Sequence, residues 1–346
     1  MEKPNYYDGT KLLSLKDING NTPEIYLCSG NNTAGKTTYF SRLVVNKFLN
    51  GQGKFMIVNR FKYELDECAD KFFKDVGALF FPEYTMTSVR RAEGTFHELF
   101  LNNVSCGYAV AMNNIDQVKK YSHFFSDTER MFMDEFQSET NHYCVDEVSK
   151  FRALHKAVAR GRGKQVRYVP VYMCANDITI LNPYYVAMGI SNRLTSDTKF
   201  IRGDGFVLER CFVESASLAQ KESGFNRAFG DDKYNKFSQG KFYLNDNYSF
   251  IEKPQGDSRY VATIKYEGNE YAVREYAQLG IVYIDDKADK SFPFKIAVTT
   301  DDHNINYVML KKNDAFLQSL RFFFEKGCVR FKNLKCKEAT LNTLTY

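Results

Sequence analysis

One eight-residue segment constrains the fold of this chain more than any other. Residues 30–37 read Gly-Asn-Asn-Thr-Ala-Gly-Lys-Thr, a complete G-x-x-x-x-G-K-[ST] phosphate-binding loop. An apolar run at residues 25–28 precedes it, and a helix-like stretch at residues 37–50 follows it. Because the motif has meaning only between a strand and a helix, this context predicts an α/β domain with a triphosphate site. The alternative is a glycine-containing turn that caps a helix.

The loop itself supplies the candidate nucleotide ligands. Its glycines let successive backbone N–H groups point at phosphate oxygens, and the helix N-terminus adds partial positive charge. The Lys36 ammonium would reach the β- and γ-phosphates, and the Thr37 hydroxyl would be a ligand of Mg²⁺. The predicted binding residues are Gly30, Asn31, Asn32, Thr33, Ala34, Gly35, Lys36, Thr37 and Thr38.

A second segment supplies two carboxylates. Residues 131–135 read Met-Phe-Met-Asp-Glu, an apolar run that ends in two acids. Strands buried between helices read as continuous apolar runs, and ligands of such sheets bind at the carboxyl ends of the strands. Asp134 is therefore the candidate Mg²⁺ carboxylate, and Glu135 is the candidate general base. Without the loop, the same segment would fit a strand that ends in a solvated acidic turn.

Further polar residues are candidates for the same chemistry. Asn176 follows an apolar run, so its amide would contact the γ-phosphate or the attacking water; a turn-forming Asn is the alternative. Arg160, with Arg162 as the alternate, lies in an Arg-Gly-Arg-Gly-Lys run at a predicted helix end. These cations either complement the helix dipole or supply an arginine finger to a neighbouring subunit, and the sequence leaves both interpretations open.

Basic residues near the predicted site are candidates for contact with a polyanion. Arg60 and Lys62 follow the second predicted strand, and Lys119 and Lys120 precede the acidic strand. Such side chains contact nucleic-acid phosphates without reading sequence, although a lysine pair also fits an ordinary solvated surface. The predicted nucleic-acid residues are Lys62, Lys119 and Lys120.

The pattern of predicted elements divides the chain into three parts. Residues 1–204 alternate strand-like and helix-like segments, which predicts an α/β domain with a mainly parallel sheet. Residues 205–246 are polar and glycine-rich and are predicted to form a linker or lid. Residues 247–346 are predicted to be a small mixed α/β domain. The predicted strands are 24–29, 54–60, 131–134, 168–175, 258–266, 270–276 and 281–285; the predicted helices are 37–50, 63–74, 145–160 and 314–326; residues 85–112 are predicted to form an excursion of β-strands.

Composition narrows the class of protein. The 346 residues are 44 % hydrophobic, which is enough for the cores of two domains. There is no apolar run of about 18 residues and no secretory h-region at the N-terminus, so neither a membrane span nor export is expected. The eight cysteines form no C-x-x-C pair, which argues against zinc and disulfides and favours a reducing cytoplasm. The net charge of +5 permits an anionic partner without requiring one.

The order of these parts resembles the DNA encapsidation proteins, the genome-packaging ATPases of small tailed phages of the phi29 type. The resemblance covers nearly the whole chain, and its C-terminal blocks are specific to that group, whereas the P-loop is shared by many unrelated NTPases. The blocks that carry it, besides the P-loop, are residues 58–65, 134–136, 175–176, 181–185, 250–253, 257–261, 282–285 and 299–302.

The resemblance implies an ASCE-type P-loop ATPase domain, a linker and a C-terminal domain of RNase H-like fold. It implies ATP and Mg²⁺ as cofactors and double-stranded viral DNA as the translocated substrate. The implied partners are the portal of a preformed prohead, a structural packaging RNA and further copies of the chain in a ring, usually a pentamer. The implied location is the cytoplasm of the infected bacterium, transiently at the portal vertex and not in the mature virion.

The resemblance also carries residue roles. Asp134 would position Mg²⁺, Glu135 would activate water, and Arg160 would be the trans-acting arginine. Asn176 would couple hydrolysis to movement, and Lys62 and Lys119 look like pore or inter-subunit lysines. Many packaging ATPases of larger phages carry an additional arginine inside the P-loop; residues 31–34 contain none, so no cis-acting arginine is expected in this loop.

Nuclease activity is an alternative that the C-terminal sequence does not favour. An RNase H-type nuclease needs three or four clustered carboxylates that hold two metal ions. The predicted strand at residues 260–266 contains no acid, and the nearby acids fall at strand ends or in a turn. We therefore expect a vestigial nuclease fold. The alternatives are a packaging enzyme that also cuts DNA with metal ions, and a P-loop signalling switch that does not translocate.

Overall fold

The computed structural model describes residues 6–180, 182–194, 198–230, 234–235, 251–311 and 313–345. The chain divides into two compact units, Met1–Leu244 and Asn245–Tyr346. Each unit has its own sheet and its own hydrophobic core, as expected for a chain of this length. No helix in the described ranges is both long and apolar enough to cross a bilayer.

The first unit is built on a mixed sheet of nine strands in the order β3-β4-β5-β2-β6-β7-β1-β9-β8. The strands are β1 (Ile25–Gly30), β2 (Lys54–Asn59), β3 (Met86–Arg91), β4 (Phe96–Leu101), β5 (Val104–Ala111), β6 (Thr128–Asp134), β7 (Val171–Asn176), β8 (Phe200–Gly203) and β9 (Phe206–Cys211). The helices are α1 (Thr10–Ser14), α2 (Lys36–Leu49), α3 (Cys68–Phe80), α4 (Ile115–Val118), α5 (Glu147–Ala159), α6 (Pro183–Ala187), α7 (Glu214–Glu222) and α8 (Gly224–Ala228). Short 3₁₀ helices span Lys62–Glu64, Ala92–Gly94, Met112–Asn114, Lys119–Asp127 and Ser191–Arg193.

Six adjacent strands of this sheet run parallel to one another, in the spatial order β5, β2, β6, β7, β1 and β9. Neighbouring side chains of one strand point to opposite faces: in β1, Cys28 joins the core cluster that contains Phe40 of α2, and Leu27 joins the cluster that contains Leu154 of α5. Helices thus cover both faces, which is why strands such as β1 and β7 are mainly apolar. The carboxyl ends of all six parallel strands meet at one edge of the sheet.

The structure confirms an α/β architecture but changes two details of the prediction. The sheet is mixed, because β3 and β4 form an antiparallel extension beside β5 and because β8 is antiparallel to β9. The predicted boundary at residue 204 is wrong, since β9 lies next to β1 near the centre of the sheet. β9 is a short strand between charged and glycine-containing segments, so the sequence pattern did not indicate it. The rest of the predicted linker begins with α7 and α8, and residues 231–233 and 236–246 lie outside the described residues.

The second unit contains a five-stranded sheet in the order β13-β10-β11-β12-β14. Its strands are β10 (Arg259–Tyr266), β11 (Asn269–Tyr276), β12 (Ile281–Asp285), β13 (Lys295–Ala297) and β14 (Val329–Phe331); its helices are α9 (Ala315–Glu325) and α10 (Leu334–Thr345), and a 3₁₀ helix spans Ala277–Leu279. The three consecutive strands and the following helix agree with the sequence prediction. β10 to β12 form an antiparallel meander, and a parallel strand flanks each side. The RNase H-like assignment stays a prediction.

Candidate functional site

The phosphate-binding motif forms a tight loop between β1 and α2. Gly35, with φ +91°, is the N-cap of α2, and Thr33 also adopts a positive φ of +58°. Left-handed residues of this kind turn successive N–H groups toward one point, which makes an anion-binding concavity at a helix N-terminus. The loop thus has the local geometry that the sequence motif predicts.

The Lys36 ammonium is buried at the centre of this loop. Nζ donates hydrogen bonds to the carbonyl oxygens of Asn31, at 2.6 Å, and Gly30, at 3.3 Å. It also donates to Oδ1 of Asn176, at 3.2 Å, although Asn176 lies 140 residues further along the chain. The structure therefore brings together Lys36, a predicted phosphate ligand, and Asn176, the predicted coupling residue.

Thr37 and Asp134 meet beside the loop. The Thr37 hydroxyl donates a hydrogen bond to Oδ1 of Asp134 at 3.1 Å. The same oxygen accepts from the Cys174 thiol of β7 at 3.0 Å and from the Glu135 N–H at 2.9 Å. Burial raises the pKa of the Asp134 carboxyl above its usual range, against these hydrogen bonds, which lower it. A hydroxyl and a carboxylate from separate elements thus face one another as a pair of oxygen donors.

Glu135 follows Asp134 in a left-handed conformation, with φ +52°, that is uncommon for a residue with a side chain. Burial and the adjacent Asp134 carboxylate raise its pKa above the usual range. Two hydrogen bonds from Arg60 Nη2, to the carbonyl oxygens of Glu135 at 3.0 Å and Phe136 at 3.1 Å, hold the backbone of this turn. A carboxylate with a raised pKa is a stronger base, which suits the predicted role in activating water.

The structure corrects the prediction for Arg60. The sequence makes Arg60 a candidate for contact with a polyanion, but its side chain is buried, and its Nε forms an ion pair with Glu147 at 2.9 Å. Glu147 also accepts a hydrogen bond from the Tyr184 hydroxyl at 3.0 Å. Its position directly after the apolar strand β2 indicates this role, because an arginine there can be buried and reach the neighbouring loops.

An open cleft of about 330 Å³ lies beside this turn. Its lining includes Glu135, Asn176, Glu139 and Gln137. Gln137 is buried, and its Oε1 accepts hydrogen bonds from the N–H groups of Ile178 at 3.1 Å and Thr179 at 3.0 Å. The loops that follow β6 and β7 are therefore tied to each other beside the candidate site. The sequence analysis did not single out Gln137.

Arg160 does not lie in this site. It is exposed at the C-terminal end of α5, and the adjoining turn is attached to the start of β6 through Arg162, whose Nη1 contacts Glu129 at 2.5 Å. β6 has seven residues and spans roughly 20 Å, with Asp134 at its other end. Arg160 and the candidate site therefore occupy opposite edges of the sheet. Within the described ranges, the Arg160 side chain forms no ion pair or hydrogen bond.

The three predicted nucleic-acid lysines also lie outside the cluster around Lys36. Lys62 is exposed in the 3₁₀ helix after β2. Lys119 contacts Asp116 at 3.7 Å, and Lys120 donates a hydrogen bond to Gln117 at 3.0 Å. The structure places all three on the surface of the first unit, and their predicted contact with DNA stays a prediction.

The fold and this cluster of residues define the chain as an α/β protein with a phosphate-binding loop and an adjoining acidic strand end. The family model described as Podovirus DNA encapsidation protein (Gp16) matches residues 1–345, and the chain belongs to that family. This confirms the resemblance noted from the sequence.

Individual proteins support the same grouping. The chain is 26 % identical over 337 residues to the DNA packaging proteins of Bacillus phage PZA and Bacillus phage phi29, and in each case the alignment covers 96 % of this chain and 95 % of the relative. Among solved structures, the bacteriophage phi29 viral genome packaging motor assembly is similar, with a TM-score of 0.55, 25 % identity and 95 % coverage of both chains. The phi28 gp11 DNA packaging motor has a similar fold, with a TM-score of 0.59, 14 % identity and coverage of 98 % and 95 %.

Proposed function

We propose that this protein is an ATP-driven motor that translocates double-stranded viral DNA into a preformed prohead. The observation that carries the proposal is the convergence of Lys36, Thr37, Asp134 and Asn176 at one edge of the sheet, in a member of the DNA encapsidation family. The similarity to packaging proteins and to a packaging motor assembly supports the same function.

The loop and the strand end fit a magnesium–triphosphate. The backbone N–H groups of residues 30–38 and the Lys36 ammonium would bind the phosphates. The Thr37 hydroxyl and the Asp134 carboxylate are hard oxygen donors, the type that Mg²⁺ prefers, and they already face one another at 3.1 Å. When bound, Mg²⁺ supplies positive charge next to the phosphate oxygens.

Hydrolysis is assigned to residues around the cleft. Glu135 orients the attacking water and accepts its proton, and Arg60 holds the backbone of Glu135 in place. Asn176, which contacts Lys36, would sense the terminal phosphate. Arg160 would act on the site of a neighbouring copy, because it lies at the opposite sheet edge of its own subunit. Positive charge delivered there would stabilise the transition state.

The proposed partners are those that the resemblance to the packaging ATPases implies. Copies of the chain would form a ring, usually a pentamer, at the portal vertex of the prohead, together with a structural packaging RNA, in the cytoplasm of the infected bacterium. Lys62, Lys119 and Lys120 are the candidates for contact with DNA phosphates, so translocation should be independent of sequence and sensitive to salt.

The test is ATP hydrolysis by the wild type and by Glu135→Gln, with and without proheads and DNA. We expect DNA-stimulated hydrolysis in the wild type and a fall of at least about 10²-fold in kcat for Glu135→Gln, because the amide cannot accept a proton. ATP binding should remain. Glu139→Gln is the matched control, since Glu139 lines the same cleft. Normal packaging by Glu135→Gln would contradict the assignment.

The nuclease alternative has no supporting observation. Asp285 forms an ion pair with Arg274 at 2.9 Å, and Asp286 contacts Lys332. In the described residues of either unit there is no group of three acidic, histidine or cysteine side chains placed to hold a metal ion.

A signalling switch that does not translocate DNA is the other alternative. It predicts ATP hydrolysis that DNA does not stimulate.

A further inference from the structure

A buried ion pair lies directly behind Asn176. Asp177, the next residue, accepts a hydrogen bond from Nε of Arg210 in β9 at 3.0 Å, and the two side chains are only 6 % and 14 % exposed. The two residues are 33 positions apart in sequence. The sequence analysis gave neither residue a role, and the function proposed above does not use them.

The register of the sheet explains why this pair matters. Asn176, Gly30 and Cys211 are aligned across β7, β1 and β9. The Asp177 N–H donates to the carbonyl oxygen of Gly30 at 3.2 Å. Asp177 therefore crosses the end of β1, beneath the start of the phosphate-binding loop, to reach Arg210 on the other side.

The side chains of Asn176 and Asp177 consequently contact different partners, one in the phosphate-binding loop and the other in β9. The Asn176 side chain accepts from Lys36, and the Asp177 side chain is anchored to β9. The second carboxylate oxygen of Asp177, Oδ1, is buried and has no hydrogen-bond partner within the described part of the chain. A buried carboxylate in this state depends on its ion pair, so the contact with Arg210 fixes the turn.

The segment after Arg210 is attached to the loop as well. The Asn31 side chain is buried, donates to the Val213 carbonyl oxygen at 2.9 Å and accepts from the Val213 N–H at 3.0 Å. The end of β9 is thus held at two points, by Asp177 and by Asn31, next to the residues that would bind the phosphates. Arg210 is therefore a fixed anchor and not a mobile surface group.

We propose that Asp177 and Arg210 are a positioning pair that holds the Asn176 amide against Lys36 for hydrolysis. The proposal rests on the function proposed above. It predicts that the pair affects the rate of hydrolysis and not the affinity for the nucleotide, because the pair acts on Asn176 and the ion pair itself lies between β7 and β9. Small displacements of a positioned group cost rate more than binding.

The test measures kcat and KM of DNA-stimulated ATP hydrolysis for Asp177→Asn, Arg210→Lys and the double variant. We expect kcat to fall about tenfold in each single variant, with KM for ATP within about twofold of wild type. The double variant should be no slower than the slower single variant, because the two residues act as a unit. Arg210→Lys retains the positive charge and serves alone if Asp177→Asn does not fold.

The matched control is Asp285→Asn in the second unit, which removes one carboxylate from an ion pair of the same type, Arg Nε to Asp Oδ2 at 2.9 Å, with 17 % and 3 % exposure. It should leave kcat unchanged. Three results would overturn the positioning role. The first is an equal loss of kcat in Asp285→Asn and Asp177→Asn, and the second is an increase in KM at constant kcat in the single variants. The third is a double variant whose loss of kcat is the product of the two single losses. Absence of DNA-stimulated hydrolysis in the wild type would instead remove the proposed function itself.

Discussion

At the scale of single residues, the candidate site depends on close approaches of backbone as much as on charged groups. Gly30 ends β1 opposite Cys211 of β9. A Cβ atom at Gly30 would collide with the carbonyl oxygen and the thiol of Cys211. This glycine is required by the spacing of two parallel strands, whereas Gly35 is required by a positive φ. The first and sixth positions of the motif are therefore glycines for different physical reasons.

Replacing Gly30 tests this close approach. Gly30→Ala should lower the free energy of unfolding of the first unit by about 2 kcal/mol, because the added methyl group meets backbone that cannot move aside easily. Urea denaturation followed by circular dichroism measures the change. Gly224→Ala is the control, since among the described residues an added Cβ there meets only the end of the Arg227 side chain, at 3.8 Å. Equal stability of the two variants would contradict the steric argument.

At the scale of elements, one buried ion pair joins the parts that surround Glu135. Arg60 follows β2, Glu147 begins α5, and Tyr184 belongs to α6. Arg60 also holds the turn after β6 through two carbonyl oxygens. The planar fork of the guanidinium thus binds Glu147 and both carbonyl oxygens, and Glu147 in turn binds Tyr184, so four segments meet at this ion pair.

Removing the charge of Glu147 tests this junction. Glu147→Gln should destabilise the first unit by about 3 kcal/mol, because it leaves the Arg60 guanidinium buried without its ion pair. Chemical denaturation provides the measurement. Glu67→Gln is the control: Glu67 pairs with Lys71 at 3.6 Å and both side chains are exposed, so its loss should cost about 1 kcal/mol or less. A larger loss in Glu67→Gln than in Glu147→Gln would show that burial does not determine these energies.

At the scale of the whole molecule, the first unit carries candidate functional residues at two opposite edges of its sheet. The carboxyl edge of the parallel sheet carries the candidate nucleotide site, and the opposite edge carries Arg160. One copy cannot bring them together, so the proposed role of Arg160 requires a second copy beside the first. A head-to-tail arrangement of this kind closes into a ring, which agrees with the proposed assembly.

Mixing two inactive variants tests this arrangement. Arg160→Ala should lower kcat by about 10³-fold, and Arg162→Ala should have little effect because Arg162 is bound to Glu129. A mixture of equal amounts of Arg160→Ala and Glu135→Gln should recover roughly a quarter of the wild-type rate, the share of interfaces that pair an intact Glu135 with an intact Arg160. ATP hydrolysis with proheads and DNA is the measurement. No recovery on mixing would exclude action between subunits.

Much of the architecture could be predicted because it depends on local pattern. The apolar runs of β1, β2, β6 and β7, the helix after the loop and the alternation of β10 to β12 are all visible in the printed sequence. The prediction for α3 had the wrong limits, and β9 was assigned to a linker. A six-residue strand between charged, glycine-containing segments has too few apolar positions to stand out, and only its partners in the sheet identify it.

The sequence by itself determined the chemical inventory: the loop, the acidic strand end, Asn176 and the family to which they belong. These features are contiguous or follow a strand, so their meaning survives without coordinates. Only the tertiary structure decided which of them meet. It buried Arg60, placed Arg160 at the far edge and joined Asp177 to Arg210 across the end of β1. Such contacts join residues tens of positions apart, and they depend on strand order, which no local pattern encodes.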